Sequence, residues 1–345
     1  MSKIFITGAA GFIGSQLAYY LWKSGDEVVL LDNFSYGADD NLIFEDHDFR
    51  AEVIHGDIRN TELLDFLFQT ENFDYVYHIA AITPLPDCQT NPSLATEVNV
   101  QGTVNILEAS RKYGIKKVIF ASTSAVYENN TEFPLTEDNT APPTLIYPST
   151  KYAAEQFCKA YVDCYGMNVA CMRFANVYGP HLDCLRTQPP VVGYMILELY
   201  QGKLVQLHSN GSQRRDFVYV DDLVELLKLV REGDGYDVVN VSTGETVSIN
   251  ELFEVVARLM GCSGTEPEFF GSEHFWHRYP DLYRGGYRIL DKVLDHEVKK
   301  YTQLSNRHAF ERYGWKPKVS LETGIRRTID FSVKIMKEKG LGDGV

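Results

Sequence analysis

From its first residues the chain alternates short apolar runs with longer amphipathic ones. Lys3–Thr7 reads as a strand and Gly11–Lys23 as a helix. Glu27–Leu31, Ala51–His55 and Asp74–His78 read as further strands. A long helix is expected from about Pro92 to Lys112, a strand at Lys117–Ala121, a helix from about Pro148 to Tyr165 and a strand at Asn168–Met172. Apolar strands alternating with helices are the mark of βαβ units around a parallel sheet covered on both faces. The expected class is therefore α/β, with a doubly wound parallel sheet. After Gly179 the rhythm changes. A polar stretch with Pro180, Pro189 and Pro190 leads to helices at Val191–Gln201, Asp221–Val230 and Ile249–Met260, with strands near Leu204–Gln206 and at Val238–Val241. Residues 264–302 show no period, and a last helix is expected from about Leu321 to Lys337. The expected division is 1–179 for the sheet domain and 180–345 for a smaller α/β region, interleaved with the first.

Composition narrows the partners. The 345 residues carry 33 Lys and Arg against 47 Asp and Glu, a net charge of −14. Such a surface repels nucleic acid and anionic membrane, while leaving room for an anionic small molecule held by a few local arginines. Cys88, Cys158, Cys164, Cys171, Cys184 and Cys262 form no C-x-x-C pair. Neither a metal site nor a secreted disulfide framework is expected, and free thiols fit the cytoplasm. No stretch approaches the length of a membrane span, and the N-terminus runs directly into a strand pattern.

The strand Lys3–Thr7 ends in Gly8-Ala9-Ala10-Gly11-Phe12-Ile13-Gly14. Glycines there permit a tight turn, close approach of the backbone to a pyrophosphate, and close helix–strand packing. The helix that follows offers unpaired N–H groups to the phosphates. This spacing is G-x-x-G-x-x-G, and glycine spacing alone is a weak signal. Context strengthens it, because Asp32 ends the second strand 24 residues after Gly8 and is followed by Asn33. A carboxylate there accepts the ribose hydroxyls of NAD and repels the 2′-phosphate of NADP. The expected domain is thus Rossmann-like and binds NAD. Asp57-Ile58, after the third strand, is placed either to hold adenine or as an ordinary strand-end turn.

Tyr147-Pro148-Ser149-Thr150-Lys151 sets a phenol and an ammonium at i and i+4, on one face of a helix start. A neighbouring ammonium favours the phenolate and makes Tyr usable as an acid/base near neutrality. Tyr19…Lys23 and Tyr113…Lys117 share the spacing and read as helix surface. Tyr147 stands apart because Ser122-Thr123-Ser124 ends the fifth strand, where ligands bind in an open α/β sheet.

With these motifs together, the chain resembles the extended short-chain dehydrogenase/reductases, of the NAD-dependent epimerase/dehydratase family. The resemblance runs over about residues 3 to 230 and includes His78–Ala81, Asn99–Glu108 and Ser122–Tyr127. Arg173–Pro180 and Gln213–Asp222 are similar to the nucleotide-sugar branch, in particular the UDP-sugar 4-epimerases. It implies that Tyr147 is the acid/base, that Lys151 is its partner and ribose anchor, and that Thr123 holds the reacting sugar hydroxyl. Cofactor contacts would come from Gly8, Gly11, Phe12, Ile13, Gly14, Asp32 and Asn33. Further ones would come from Asp57, Ile58, Ala80, Ala81, Asn99 and Ser122. Ser124, Asn176 and Arg215 would contact the substrate, a nucleoside diphosphate sugar, the last two at its diphosphate. A guanidinium fork suits phosphate oxygens, although Arg215 could instead pair with Asp216 or Asp222. Ser122 or Ser124 could partly stand in for Thr123. Family members often pair as dimers through the helices expected here near 92–112 and 148–165, and a homodimer is expected.

The chain also departs from the pattern. Dehydratases and decarboxylases of the family carry acidic residues just after the catalytic Thr; here Ser124 and Ala125 stand there, which argues against both reactions. Glu128 replaces a usual Gly and is expected to reshape a loop at the pocket. His181 replaces a usual Arg and is expected to remove a substrate contact. Arg278, Arg284 and Arg288, among Phe275, Trp276 and Tyr279, could grip the nucleotide, form an oligomer surface or belong to a lid. The leading reading is an NAD-dependent epimerase acting at C4 through a transient 4-keto sugar. A dehydrogenase or 4-keto reductase would need the same residues, and a non-catalytic NAD-binding regulator is the third reading.

Overall fold

The computed structural model describes residues 1–44, 46, 48–49, 52–139 and 141–341. Seven parallel strands form the main sheet: β1 (Lys3–Thr7), β2 (Glu27–Asp32), β3 (Val53–His55), β4 (Tyr75–His78), β5 (Lys117–Thr123), β6 (Val169–Phe174) and β7 (Tyr236–Val241). Their order is β7-β6-β5-β4-β1-β2-β3. Of the strand expected at Ala51–His55, Ala51 lies outside the described residues.

Alternation along each strand divides the core. Ile4 and Ile6 face one layer, packed with Leu17, Leu21, Leu223 and Leu227. These come from α1 (Phe12–Lys23) and from the later helix Val220–Leu229. Phe5 faces the other layer, stacked on Phe73 at 4.9 Å and edge-on to Phe68 at 5.3 Å. That layer is made by α2 (Thr61–Glu71), α3 (Gly102–Lys112) and α4 (Ile146–Tyr165). Helices on both faces are what near-continuous apolar strands require.

The winding reverses between β1 and β4, so a crevice opens at their C-terminal ends. Gly8 forms the turn there with φ of 70°, and a Cβ on it would lie 2.6 Å from the Ala80 backbone nitrogen. Any side chain would wedge β1 and β4 apart.

The chain beyond residue 180 builds a second packed layer and then returns. Helices Val191–Tyr200, Ile249–Leu259 and Leu321–Glu338 bury Met195, Ile196, Leu252, Val256 and Ile325 against one another. β7 comes back to pair with β6 in the main sheet. Two buried carboxylates tie this part together. Asp216 accepts Thr243 N–H and O–H and Gly244 N–H, and Asp222 accepts Lys318 and Val319 N–H. Among the described residues, no helix is long and apolar enough to cross a membrane.

The sequence expectations need revision at α2 and at the helix before α3. The helix expected over Pro92–Lys112 is interrupted by a π turn at Glu97–Gln101. The helix α2 had no expected counterpart; its boundaries come from Asn60, which caps Leu63 N–H, and left-handed Asn72.

Candidate active site

A cavity of about 1040 Å³ lies between the glycine turn, the ends of β4 and β5, and the C-terminal helices. Gly8, Gly11, Phe12, Ile13, Gly14, Asp32 and Asn33 line it. So do Ile58, Ala80, Ala81, Ser122, Thr123, Tyr147, Lys151, Asn176 and Arg215. Asp57, Asn99 and Ser124 are not among its lining residues.

The glycine turn is locked by Asp32, which accepts Ala10 N–H at 2.9 Å on one oxygen and Phe34 N–H at 2.7 Å on the other. Each carboxylate oxygen keeps a second lone pair, which ribose hydroxyls can fill. Burial raises the carboxyl above its usual range, and these N–H bonds pull it back. Asp57 faces Arg59 and accepts Asn33 at 2.9 Å, and the Arg59 bonds hold its carboxyl down to about 2. The Arg59 guanidinium is therefore already neutralised, by Asp57 at 2.8 Å and Glu97 at 3.2 Å, and offers little to a 2′-phosphate. A tight backbone turn, a helix start and a carboxylate with free acceptors fit NAD.

Beneath this seat runs a buried row of hydrogen bonds. Thr7 Oγ1 meets His78 Nδ1 at 2.7 Å, His78 Nε2 meets Thr103 Oγ1 at 3.0 Å, and Thr103 donates to the Asn99 carbonyl at 2.7 Å. The Asn99 amide holds both backbone groups of Ile82 and donates to Thr150, which donates to the Tyr147 carbonyl. Asn99 thus supports the site from below, braced between the π turn and α4. Burial keeps His78 neutral, pushing it down to about 3.

Thr123 is the last residue of β5, and Tyr147 the second of α4. Burial lifts the Tyr147 phenol to about 12, and the nearby Thr123 hydroxyl pulls it back only in part. The lowering expected from Lys151 is not among the influences on the phenol. Lys151 is itself buried and pushed down to about 8, with Nζ over the Phe120 ring at 4.1 Å. Ser122 is committed elsewhere: its hydroxyl binds Glu155 at 2.5 Å, and Glu155 pairs with buried Arg173 at 2.7 Å. It has no free hydroxyl with which to replace Thr123.

Arg215 is not paired with Asp216 or Asp222. Its guanidinium reaches three carbonyls, of Arg214, Glu297 and Val298. The last two lie in the final turn of α5 (Asp291–Lys299), which had no expected counterpart. The nearby Glu297 carboxylate is taken by Lys300 at 2.7 Å. Burial without a carboxylate partner pulls the guanidinium down to about 10. Asn176 donates to the Asp216 carbonyl at 2.9 Å, which leaves its amide oxygen uncommitted.

Sequence reasoning passed over Arg186. It lines the cavity and bonds the Gln188 carbonyl at 2.6 Å; an isolated arginine in a polar loop beyond Gly179 was its only signal. Arg278 also reaches the cavity, whereas Arg284 and Arg288 are exposed. Two buried polar atoms on this wall, His208 Nδ1 and Trp276 Nε1, have no partner among the described residues. His181 lines no part of the cavity. It is stacked between Phe44 at 4.6 Å and Phe331 at 4.4 Å, binds the Asn41 carbonyl, and is held neutral with a pKa near about 4 by burial. Glu128 is buried next to the start of α4.

A parallel sheet with a glycine-turn dinucleotide seat, a Tyr–Lys pair and an adjacent strand-end threonine defines a class of NAD-dependent enzymes. The sequence profile of the NAD dependent epimerase/dehydratase family matches residues 4–242, and the chain belongs to that family. UDP-glucose 4-epimerase of Mycolicibacterium smegmatis is 32% identical over 95% of this chain and 98% of its own. The dTDP-D-glucose 4,6-dehydratase of Mus musculus is 30% identical over 95% of this chain and 88% of its own. The crystal structure of UDP-glucose 4-epimerase with UDP-glucose from Thermotoga maritima superposes with a TM-score of 0.84 at 31% identity, covering 97% of this chain and 99% of that one.

Proposed function

We propose that this protein is an NAD-dependent nucleotide-sugar 4-epimerase. The observation that carries the reading is the meeting of Thr123, Tyr147 and Lys151 in one cavity with the NAD seat and an under-compensated Arg215. NAD, when bound, accepts the hydrogen of the sugar C4 with its electron pair and gives it back. Thr123 holds the C4 hydroxyl, and Tyr147 takes its proton and returns it to the opposite epimer. With a pKa near about 8, Lys151 is mostly charged at neutral pH and stabilises the phenolate from one helical turn away. Arg215, Asn176 and Arg186 grip the diphosphate so that only the sugar turns. Glycine-turn residues and Asp32, with Asn33, Ile58, Ala80 and Ala81, hold the cofactor, while Asp57 and Asn99 act by bracing them. Residues 1–179 then serve chiefly the cofactor, and 180–345 chiefly the substrate.

The dehydratase relatives make water elimination the rival reaction. Its acid/base is missing, because Ser124 and Ala125 follow Thr123. The test is incubation with UDP- and dTDP-linked sugars and NAD far below the substrate concentration. An epimerase interconverts the C4 isomers many times per NAD with no change of mass. Loss of the mass of a water, or turnover that halts once the NAD is reduced, would overturn the reading.

We further infer a cytoplasmic homodimer serving carbohydrate biosynthesis. All six cysteines are free thiols, as a reducing compartment allows. Phe157, Tyr161 and Tyr165 recur at helical spacing on α4, with Phe157 42% and Tyr165 59% exposed, and α3 packs alongside. A second copy pairing α3 and α4 across a two-fold axis would cover this stripe. Light scattering at a single-chain mass of 39.2 kDa would refute it.

A further inference from the structure

Thr123 and Tyr147 must stay in register, yet 23 residues separate them along the chain. Most of these form an irregular excursion between β5 and α4. Thr123 ends β5 and caps the 3₁₀ turn Ser124–Tyr127, its hydroxyl accepting Ala125 N–H at 3.1 Å. Glu128 follows that turn. One of its carboxylate oxygens, Oε1, accepts the backbone N–H groups of both Thr144 and Leu145, the latter at 2.9 Å. Leu145 is the N-cap of α4 and has no side-chain cap of its own, so Glu128 supplies one from across the excursion. A carboxylate is favoured there by the helix dipole as well as by the two N–H groups.

The surroundings brace the same contact. Asn129 donates to the Pro142 carbonyl at 2.6 Å and to the Thr144 hydroxyl at 3.1 Å. Gln89 accepts Ile146 N–H at 3.2 Å. From the opposite side, His296 on α5 donates Nε2–H to the Glu128 carbonyl at 2.8 Å. Glu128 itself is 8% exposed. The path from one hydroxyl to the other therefore shortens to a single 3₁₀ turn, one side chain and the first residues of α4.

We propose that Glu128 is a positioning residue that sets the distance between Thr123 and Tyr147. The inference rests on Tyr147 being the acid/base. Loosening the clamp lets the start of α4 drift from the end of β5. Misplacements of about 1 Å cost roughly 10²-fold in rate, and they act on turnover while the remote diphosphate grip is kept. The Thr123 hydroxyl also lowers the phenol's pKa, so moving it away shifts the deprotonation limb of the rate profile to higher pH. Cys88, the other titratable group that acts on the phenol, is untouched by the change.

The experiment compares Glu128→Ala, Glu128→Gln and Tyr147→Phe in the full-length protein, measuring kcat, KM and the pH profile. Glu128→Ala should lose on the order of 10–100-fold in kcat, with KM little changed and the limb displaced upward. Glu128→Gln should recover most of kcat, because both N–H bonds converge on Oε1, which the amide retains. Wild-type kcat and an unmoved limb in Glu128→Ala would overturn the proposal, as would Glu128→Gln behaving like Ala. If Glu128→Ala does not fold, Glu128→Asp replaces it; withdrawing the oxygen by one methylene should give the same loss in kcat at constant KM, and wild-type values there would again overturn it. Tyr147→Phe separates the two levels. If it stays active, the acid/base reading itself fails; if it is inactive while the Glu128 variants match wild type, only this inference fails.

Discussion

Truncation of Arg215 is the perturbation whose size the structure allows to be worked out. The guanidinium lies in a wall of the cavity, bonded to three carbonyls and, among the described residues, to no carboxylate. Burial lowers it from 12.5 to about 10, which corresponds to roughly 3 kcal/mol against the charged form. A diphosphate that completes the missing compensation stands to gain a comparable amount. Truncating one member of a buried charge pair costs about 2–5 kcal/mol, so the two routes agree. Arg215→Met keeps the length of the stem and removes the charge. It should weaken UDP by roughly two orders of magnitude, the equivalent of about 3 kcal/mol. Uridine, which has no phosphate, should bind almost as before. Thermal stability should change little, because the loss of three carbonyl bonds is offset by removal of a poorly compensated, half-buried cation. Isothermal titration of UDP and uridine into both proteins makes the comparison. Equal losses for the two ligands would mean that Arg215 only shapes the wall, and the phosphate role would be wrong.

Tyr147→Phe should remove about 10²–10⁴-fold of kcat while leaving NAD and substrate binding nearly intact; retention of a large share of activity would transfer the proton to another group. Thr123→Val should be nearly as severe, because Ser122 is held by Glu155 and Ser124 lies outside the cavity lining; steady-state kinetics on the pair decides it. Asp32→Ala should weaken NAD by removing the ribose acceptor and release the glycine turn, read by cofactor titration, and tighter NADP than NAD binding by the wild type would contradict the seat. His181 sits near a pKa of about 4 against an ordinary 6.5. The unfolded chain therefore takes up a proton first as pH falls, and stability is lost between pH 6.5 and about 4, by up to roughly 3 kcal/mol. His181→Phe keeps the ring stack and should flatten that loss in urea titrations; an unchanged pH dependence would place the titration elsewhere.

Much of the cofactor end was legible because its demands are local. Gly8 must adopt a positive φ against Ala80, and Asp32 must end a strand, and both facts sit within a short stretch of sequence. Tyr147, Thr123 and Lys151 were legible as residue types at strand and helix ends. Their electrostatics were not, since the pKa values of Tyr147 and Lys151 follow from how deeply the finished cavity buries them. Asn99 illustrates the same limit: its motif pointed to the cofactor, but its side chain is consumed by Ile82 and Thr150, a contact that exists only once α4 is docked. His181 was read only as the loss of a ligand contact; it lines no part of the cavity, and its packed ring was not foreseen. Nothing in its neighbours along the chain signals that Phe44 and Phe331 close on it. Arg186 escaped notice because no motif surrounds it, and α5 because its apolar positions Val293, Leu294 and Val298 are few and set among charged residues.

The row of bonds under the cofactor seat has a direction. Thr103 spends its only proton on the Asn99 carbonyl, so it must accept from His78, which places the imidazole proton on Nε2 and makes Nδ1 the acceptor of the Thr7 hydroxyl. Thr7 in turn receives Ala80 N–H at 3.3 Å. Every dipole in the row therefore points the same way, and its two ends are a peptide N–H and a peptide carbonyl, neither of which titrates. Proton conduction needs links that can reverse, and this row cannot reverse without stranding a buried carbonyl. It is an insulator rather than a wire. No proton therefore reaches or leaves the cofactor seat along this row, and its hydrogen bonds keep a single orientation.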